Sequence, residues 1–284
     1  MLVNAEIRNS FNRHAAQYEH FSRVQQEIGR RLFERLSYLK NIPTCVLDLG
    51  CGTGYFSQLL QTLYPKAQIV GVDIAHSMLT QAKIKQDADN HWSLLNADMR
   101  CLPFDASTFD LVFANQVIHW SFPMQQILQE INRVMSAEGC LMFSTLGPDT
   151  FIELKQAFSR ADPYTHVNDF VDLHIVGDCL LQELFIDPVV DRECLTAHYS
   201  SLTALLSSLK AQGVRNVHPA RNLGLTGRST WRIFTEAMAA SKTSKGDYPL
   251  SYEVIYGHAW KGTLHRHTQG TQARIPISML RRPL

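Results

Sequence analysis

The chain has 284 residues, 45% of them hydrophobic, and its 27 basic and 26 acidic side chains leave a formal net charge of +1. A chain of this kind can bury one large core and carry a smaller accessory unit, and its charge balance speaks against a wholesale nucleic-acid coat. Neither a bilayer span of roughly 20 apolar residues nor a secretory leader is expected, since Glu6, Arg8 and Arg13 interrupt the N-terminus.

Residues 1–40 read as a helical cover ahead of the first strand. The apolar run Val46-Leu47-Asp48-Leu49 then enters Gly50-Cys51-Gly52-Thr53-Gly54, and a second apolar strand closes on Val70-Gly71-Val72-Asp73. A D-x-G-x-G-x-G loop followed by an acid-terminated strand predicts a nucleoside pocket. The dinucleotide fingerprint would require glycine where Tyr55 stands. A ligand that lacks phosphate but carries an ammonium and a carboxylate suits this loop, which points to S-adenosylmethionine (SAM) and methyl transfer. Asp48 and carbonyls near Gly50 are suited to the ammonium. Backbone N–H groups of the Cys51, Gly52 and Gly54 loop, where the next helix starts, are suited to the carboxylate. Asp73, with Ile74 beside it, is placed to accept from both ribose hydroxyls.

The third strand is expected to close at Asn96-Ala97-Asp98-Met99, where Asp98 accepts from the adenine amino group and Met99 covers the ring. Phe109–Asn115 is apolar almost throughout, as a central parallel strand should be. It delivers Asn115 and Gln116 to the carboxyl edge, where α/β ligands bind. A helix is predicted over 123–137, from Pro123 to just before Gly139, then a fifth strand over Cys140–Thr145. Helix 174–186, a sixth strand near Val189–Tyr199 and a seventh over Tyr252–Trp260 follow, the last two pairing antiparallel at the sheet edge. The sum is an α/β fold: a doubly wound, seven-stranded, mostly parallel Rossmann-like sheet.

The expected organisation is a cover (1–40), a SAM-binding core (41–200) holding a helical insertion at 147–170, a basic helical insertion (201–248), the final core strand (249–262) and a basic tail (263–284). The tail is read as partly disordered from its composition. Cys45, Cys51, Cys101, Cys140, Cys179 and Cys194 form no C-x-x-C, so neither disulfide framework nor metal site is expected and the cytoplasm is the default setting. From Leu195 to Thr235 there is no acid, but there are Lys210, Arg215, Arg221, Arg228 and Arg232; the tail from Lys261 adds Arg266, Arg274, Arg281 and Arg282. These stretches favour an acidic partner. No nucleic-acid module accompanies them, and an acidic carrier protein fits the charge at least as well.

Phe11-Asn12-Arg13-His14-Ala15-Ala16-Gln17-Tyr18, Asn115-Gln116-Val117-Ile118-His119-Trp120, Phe143-Ser144-Thr145-Leu146-Gly147-Pro148-Asp149-Thr150 and His166-Val167-Asn168-Asp169-Phe170 resemble the malonyl-acyl carrier protein O-methyltransferase family of biotin biosynthesis. So do Arg215-Asn216, Gly224-Leu225-Thr226-Gly227-Arg228 and Tyr252–Trp260. The resemblance spans nearly the whole chain. Its discriminating parts are Thr-Leu-Gly-Pro-Asp-Thr and Leu-Thr-Gly-Arg, whereas 46–120 is shared by many SAM methyltransferases. One departure is Leu173-His174-Ile175-Val176-Gly177-Asp178, where an acid is expected near Ile175.

The resemblance implies methyl transfer from SAM to the free carboxylate of a malonyl thioester on acyl carrier protein, or on coenzyme A, with S-adenosylhomocysteine as co-product. A carboxylate is already ionised at neutral pH, so no general base is required. Tyr18 on the cover, and His119 and Trp120 after the fourth strand, are the candidate catalytic residues. Arg192, Arg221 and Arg228 are candidates for gripping the carboxylate or the carrier's prosthetic arm. Arg133 reads as structural. Two other readings share the fold: a methyltransferase for another small carboxylate or a quinone ring, and a non-methylating relative such as a complex I assembly factor linked to arginine hydroxylation. Neither a membrane nor a nucleic acid is expected as a partner.

Overall fold

In the strands, neighbouring residues point to opposite faces, and both sets are apolar. Val46, Leu111, Phe113, Cys140 and Met142 join one buried cluster, while Leu47, Val112, Ala114, Leu141 and Phe143 join the other. A sheet apolar on both faces must be covered on both. The computed structural model, which describes residues 2–87 and 91–262, has this three-layer form. Its strands are β1 (Cys45–Leu49), β2 (Gln68–Asp73), β3 (Ser93–Asn96), β4 (Phe109–Asn115), β5 (Met135–Leu146), β6 (Phe185–Tyr199) and β7 (Tyr248–Lys261). They lie in the order β3-β2-β1-β4-β5-β7-β6. The first five run parallel, and β7 enters antiparallel between β5 and β6. The expected doubly wound, seven-stranded, mostly parallel sheet is therefore present.

Two N-terminal helices, α1 (Leu2–Phe21) and α2 (Arg23–Glu34), precede the sheet; α3 (Tyr55–Leu63) and α4 (His76–Ile84) follow β1 and β2. Ile28 and Leu32 of α2 are fully buried in the first cluster. Ile127, Leu128 and Ile131 of α5 (Met124–Val134) and Val176 and Leu180 of α7 (Leu173–Gln182) fill the second. The accessory helices are α6 (Ile152–Ser159), α8 (Leu202–Ala211) and α9 (Arg228–Ala240). The basic tail from 263 lies outside the described residues. Among the described residues, no helix is long and apolar enough to cross a membrane.

Several boundaries differ from expectation: β5 starts at Met135 rather than Cys140, and β7 at Tyr248 rather than Tyr252. Helix α5 stops at Val134 rather than 137, because Thr108 N donates to the Val134 carbonyl (2.7 Å) and Ser107 N to that of Arg133 (3.0 Å), drawing the chain into extended pairing with β4. Gly139 is then not a helix stop. A Cβ there would come within 3.0 Å of the carbonyls of Ser136 and Phe109, so only glycine fits this crowded stretch inside β5, where the register against β4 shifts. Helix α7 ends at Gln182 rather than 186, and β6 starts early at Phe185, with its register slipping between Ile186 and Val189. The acid expected near Ile175 is supplied by Asp172, whose carboxylate accepts from His174 N (2.9 Å) and caps α7. Arg133 clamps Glu130 (2.8 Å) and the carbonyls of Phe104 and Leu102 (2.7 and 2.9 Å), in keeping with a structural role.

Candidate functional site

The loop after β1 is held open by backbone bonds. Gly50 N and Cys51 N both donate to the Val72 carbonyl (2.8 and 3.0 Å), which fastens the loop to β2. Gly50, Gly52 and Gly54 take φ of 72°, 53° and 76°, a region costly for residues with a Cβ. Asp73 at the end of β2 accepts from Gly52 N (3.0 Å) and Ala75 N (2.7 Å), so one carboxylate ties the loop to the start of α4. Asp48 is 2% exposed and accepts from Ser57 Oγ of α3 (2.6 Å). Burial pushes Asp48 up to about 7, against the Ser57 hydrogen bond, and Asp73 up to about 6.

Around this loop two hollows adjoin. The larger is lined by Leu49, Gly50, Gly52, Asp73, Ile74, Asp98, Met99, Asn115 and Gln116, together with Ile7, Met78 and Val117. The smaller lies against Asp48, Gly50, Cys51, Gly52 and Thr53, with Glu19, Gln25 and Gln26 of the N-terminal helices facing them. The structure thus gathers every residue read as cofactor-binding from the sequence, except Gly54, around one continuous rim. Gly54 stands behind it at the start of α3, where an added Cβ would meet Ala82 and Trp92. Asp98 also receives Arg100 N (3.0 Å) and its guanidinium (2.6 Å).

Helix α1 lies across this rim. Asn12 Oδ1 accepts from Ser77 N (2.8 Å) at the start of α4, and Glu19 pairs with Lys85 and accepts from Thr53 Oγ1 (3.1 Å). Between these fastenings, Tyr18 projects into both hollows. Burial, reinforced by the charge of Asp73, pushes its phenol up, so Tyr18 stays protonated and can donate. Phe11 packs edge-on against Trp120 at 5.2 Å.

A further cavity opens on the other side of Tyr18, Phe11, Gln116 and Trp120. His119 lines it, 8% exposed, with Nδ1 3.4 Å from Thr145 Oγ1. Burial pulls the imidazole down to about 3, so the ring is neutral at physiological pH. Gln116, at φ 56°, is pinned through its N–H to Ser144 O (3.1 Å) and Ser144 Oγ (3.0 Å). The first insertion contributes Phe151, Leu154, His166, Val167, Asn168 and Phe170; the second contributes Leu209, Gln212, Val214, Arg215 and Asn216. The two insertions brace each other, Asn168 donating to the Arg215 carbonyl (3.0 Å) and accepting from Val217 N (2.8 Å).

Comparison with known proteins agrees with this geometry. A family model described as "Methyltransferase domain" matches residues 47–143, the stretch that builds the glycine loop, Asp73, Asp98 and the end of β4. The chain is 56% identical over 278 residues to the malonyl-[acyl-carrier protein] O-methyltransferase of Legionella pneumophila, covering 98% of each chain. It is also 39% identical to that of Gallionella capsiferriformans, over 90% of each. The chain belongs to the malonyl-[acyl-carrier protein] O-methyltransferase family. Among its relatives is the Coxiella burnetii malonyl-[acyl-carrier protein] O-methyltransferase 1, at 36% identity over 96% of this chain and 94% of that one. Among solved structures, the YcgJ protein of Bacillus subtilis superposes with a TM-score of 0.59 at 17% identity, covering 82% of this chain and 99% of that one. A putative methyltransferase from Bacillus halodurans gives 0.57 at 16% identity, covering 83% and 99%. Both support the fold alone.

The arginines chosen from the sequence stand elsewhere. Arg192 on β6 is 60% exposed and pairs with the buried Glu253 of β7 (3.1 Å). Arg221 holds Glu6 of α1 (2.9 Å) and the His218 carbonyl (3.2 Å), and Arg228 is an exposed first residue of α9. None of the three lines the cavity; Arg215 does. Sequence reasoning also passed over Gln25, whose Nε2 donates to Gln212 Oε1 (2.9 Å) while its own Oε1 is buried with no partner among the described residues. The Arg215-Asn216 and His166–Phe170 stretches were visible as motifs, but nothing local tied them to a cavity. Among the described residues, no group of three His, Cys, Asp or Glu side chains is arranged to hold a metal ion.

The raised acids set a pH dependence. Because their folded values lie above the ordinary carboxylate range, ionising Asp48 and Asp73 opposes folding of the protein alone. Their stabilising contribution is complete below about pH 4 and is lost as pH rises through about 6 and 7. A cationic ligand near Asp48 favours the ionised form and reverses that trend. SAM affinity measured by calorimetry should therefore weaken as pH falls below 7, approaching about ten-fold per unit, and Asp48→Asn should flatten the curve. A wild-type affinity independent of pH between 5.5 and 8 would contradict the placement of the ammonium.

Proposed function

We infer that this chain methylates the free carboxylate of a malonyl group carried as a thioester on acyl carrier protein, with SAM as methyl donor, as an early step of biotin biosynthesis. The carrying observation is the shared wall. Tyr18, Gln116 and Trp120 border both the acid-rimmed hollow and a cavity whose buried polar groups are neutral donors. The donor set fits SAM: carboxylates at Asp48 and Asp73 for an ammonium and a ribose, apolar Met99 and Met78 for a ring, and loop N–H groups for a carboxylate. When bound, SAM supplies an electrophilic methyl group on a sulfonium and departs as S-adenosylhomocysteine.

The protein's share of the chemistry is positioning. A substrate carboxylate arrives ionised, so its oxygen needs orientation more than activation. A guanidinium clamped on the attacking oxygen would lower its nucleophilicity; protonated Tyr18 and neutral His119 orient it at smaller cost. This role requires the tautomer in which Nδ1, 3.4 Å from Thr145 Oγ1, accepts and Nε2–H is the ring's donor. Phe151, Leu154 and Phe170 exclude water from the site where opposite charges are consumed, and holding the reactants in line can contribute on the order of 7–11 kcal/mol. An acidic carrier is the expected partner for the basic 201–235 face. A cytoplasmic setting belongs to the same reading and is supported by six cysteines that are all free.

His119→Ala tests this assignment. It should lower kcat on malonyl carrier protein by at least about ten-fold, the order expected for one hydrogen bond lost to a charged group, and leave SAM affinity unchanged by calorimetry. Wild-type kcat should show no inflection near pH 6.5, because the ring is neutral throughout. A histidine-like inflection that disappears in the variant would mean that His119 titrates in the reaction, against a purely orienting role.

A further inference from the structure

Within the second insertion, residues 214–221 are strapped down: Thr165 N donates to the Ala220 carbonyl (3.3 Å), Val217 N to Asn168 (2.8 Å), and Arg221 grips Glu6. Immediately beyond, the chain turns outward. Leu223 is 83% exposed, Leu225 98% and Trp231, on the first turn of α9, 45%. Single exposed apolar residues are ordinary, but three in one short stretch of chain, interspersed with basic residues, point to an interaction surface. The rim is basic. Some nearby cations are compensated, Arg221 by Glu6 and Arg232 by Glu236 (3.4 Å). Among the described residues, Lys210, Arg215 and Arg228 have no ion-pair partner.

We propose that Leu223, Leu225 and Trp231, with Arg228 beside them, form the docking face for the acidic carrier protein that presents the malonyl group. This rests on the reading under Proposed function and deepens it. Arg215 is exposed yet lines the acyl cavity, so the cavity opens on the side of this insertion. A carrier seated on the apolar knuckle delivers its prosthetic arm past Arg215 toward His119. Apolar anchors supply the affinity, and the unpaired cations steer the encounter and fix its register. One insertion therefore builds both the inner wall that holds the acyl group and the outer face that receives its carrier.

The test compares wild type with the double variant Leu223→Ser, Leu225→Ser on two substrates: malonyl carrier protein and malonyl-N-acetylcysteamine, which keeps the thioester but has no carrier. The variant should raise KM for the carrier substrate by at least about ten-fold while leaving kcat/KM for the small thioester within about two-fold of wild type, on the order of measurement scatter. Wild-type kcat/KM should fall with added salt for the carrier and far less for the small thioester. Equal losses on both substrates, or none on either, would overturn the docking face. So would a change in oligomeric state without a change in carrier kinetics, which would make the knuckle a self-association surface. If wild type methylates the small thioester but never the carrier, the functional reading itself fails and the docking face with it.

Discussion

Gly50→Ala is expected to abolish measurable SAM binding and to lower the unfolding free energy by about 2–5 kcal/mol. Two costs combine. At φ 72° an alanine sits in the left-handed region, and its Cβ would stand 2.4 Å from Val117 Cγ2 and 2.6 Å from Val117 Cβ. Val117 cannot swing clear, because a β-branched side chain is stiff at χ1 and this one forms part of the hollow's wall. The loop must move instead, breaking the bonds from Gly50 N and Cys51 N to Val72. Gly246 supplies the control: its φ is 85°, yet nothing lies within 4 Å of an added Cβ. Gly246→Ala should therefore cost only about 1 kcal/mol, the conformational penalty alone, and leave SAM binding intact. Chemical denaturation and calorimetry on both variants separate strain from collision. Equal behaviour of the two would remove the loop from the cofactor site.

Asp73→Ala should weaken SAM binding by about 2–3 kcal/mol, on the order of 30- to 150-fold in Kd. The side chain has two duties. Its oxygens hold Gly52 N and Ala75 N, and their remaining lone pairs face the hollow where a ribose is expected. Asp73→Asn distinguishes these duties, since an amide retains one acceptor and loses the charge; its effect should fall between wild type and alanine. If alanine binds SAM as tightly as wild type, the ribose assignment is wrong. If binding weakens but 5′-methylthioadenosine, which shares the ribose, is unaffected, the residue acts elsewhere on the ligand.

The cofactor half of the site was legible because its determinants are local. Glycine spacing dictates a loop, an acid closes each flanking strand, and the parallel sheet brings Asp48, Asp73, Asp98 and Asn115 to one edge whatever the rest of the chain does. The acyl half was legible only in part: Tyr18, His119 and Trp120 were chosen and do line its cavity, but Phe170, Arg215 and the outline of the cavity were not. Tyr18, His119, Phe170 and Arg215 reach the cavity from four segments far apart in sequence, and no periodicity announces such a meeting. Charge was a poor guide there. Arg192 and Arg221 are basic in or beside an acid-free stretch, yet their partners Glu253 and Glu6 come from distant segments and use them to bind the fold together. Gln25 carried no signal, since an amide on an amphipathic helix reads as surface until its neighbours are known. The end of α5 failed for a similar reason: pairing with β4 overrode a helical pattern that continued to Gly139.

Intact-mass analysis of malonyl carrier protein after incubation with the purified chain and methyl-labelled SAM addresses the central claim most directly. The expected result is a gain of one CH2 on the carrier, stoichiometric with S-adenosylhomocysteine, and release of the label as methanol on mild base, the behaviour of a methyl ester. Label that survives base on the carrier, or that lands only on a quinone or another small molecule offered in parallel, would contradict it.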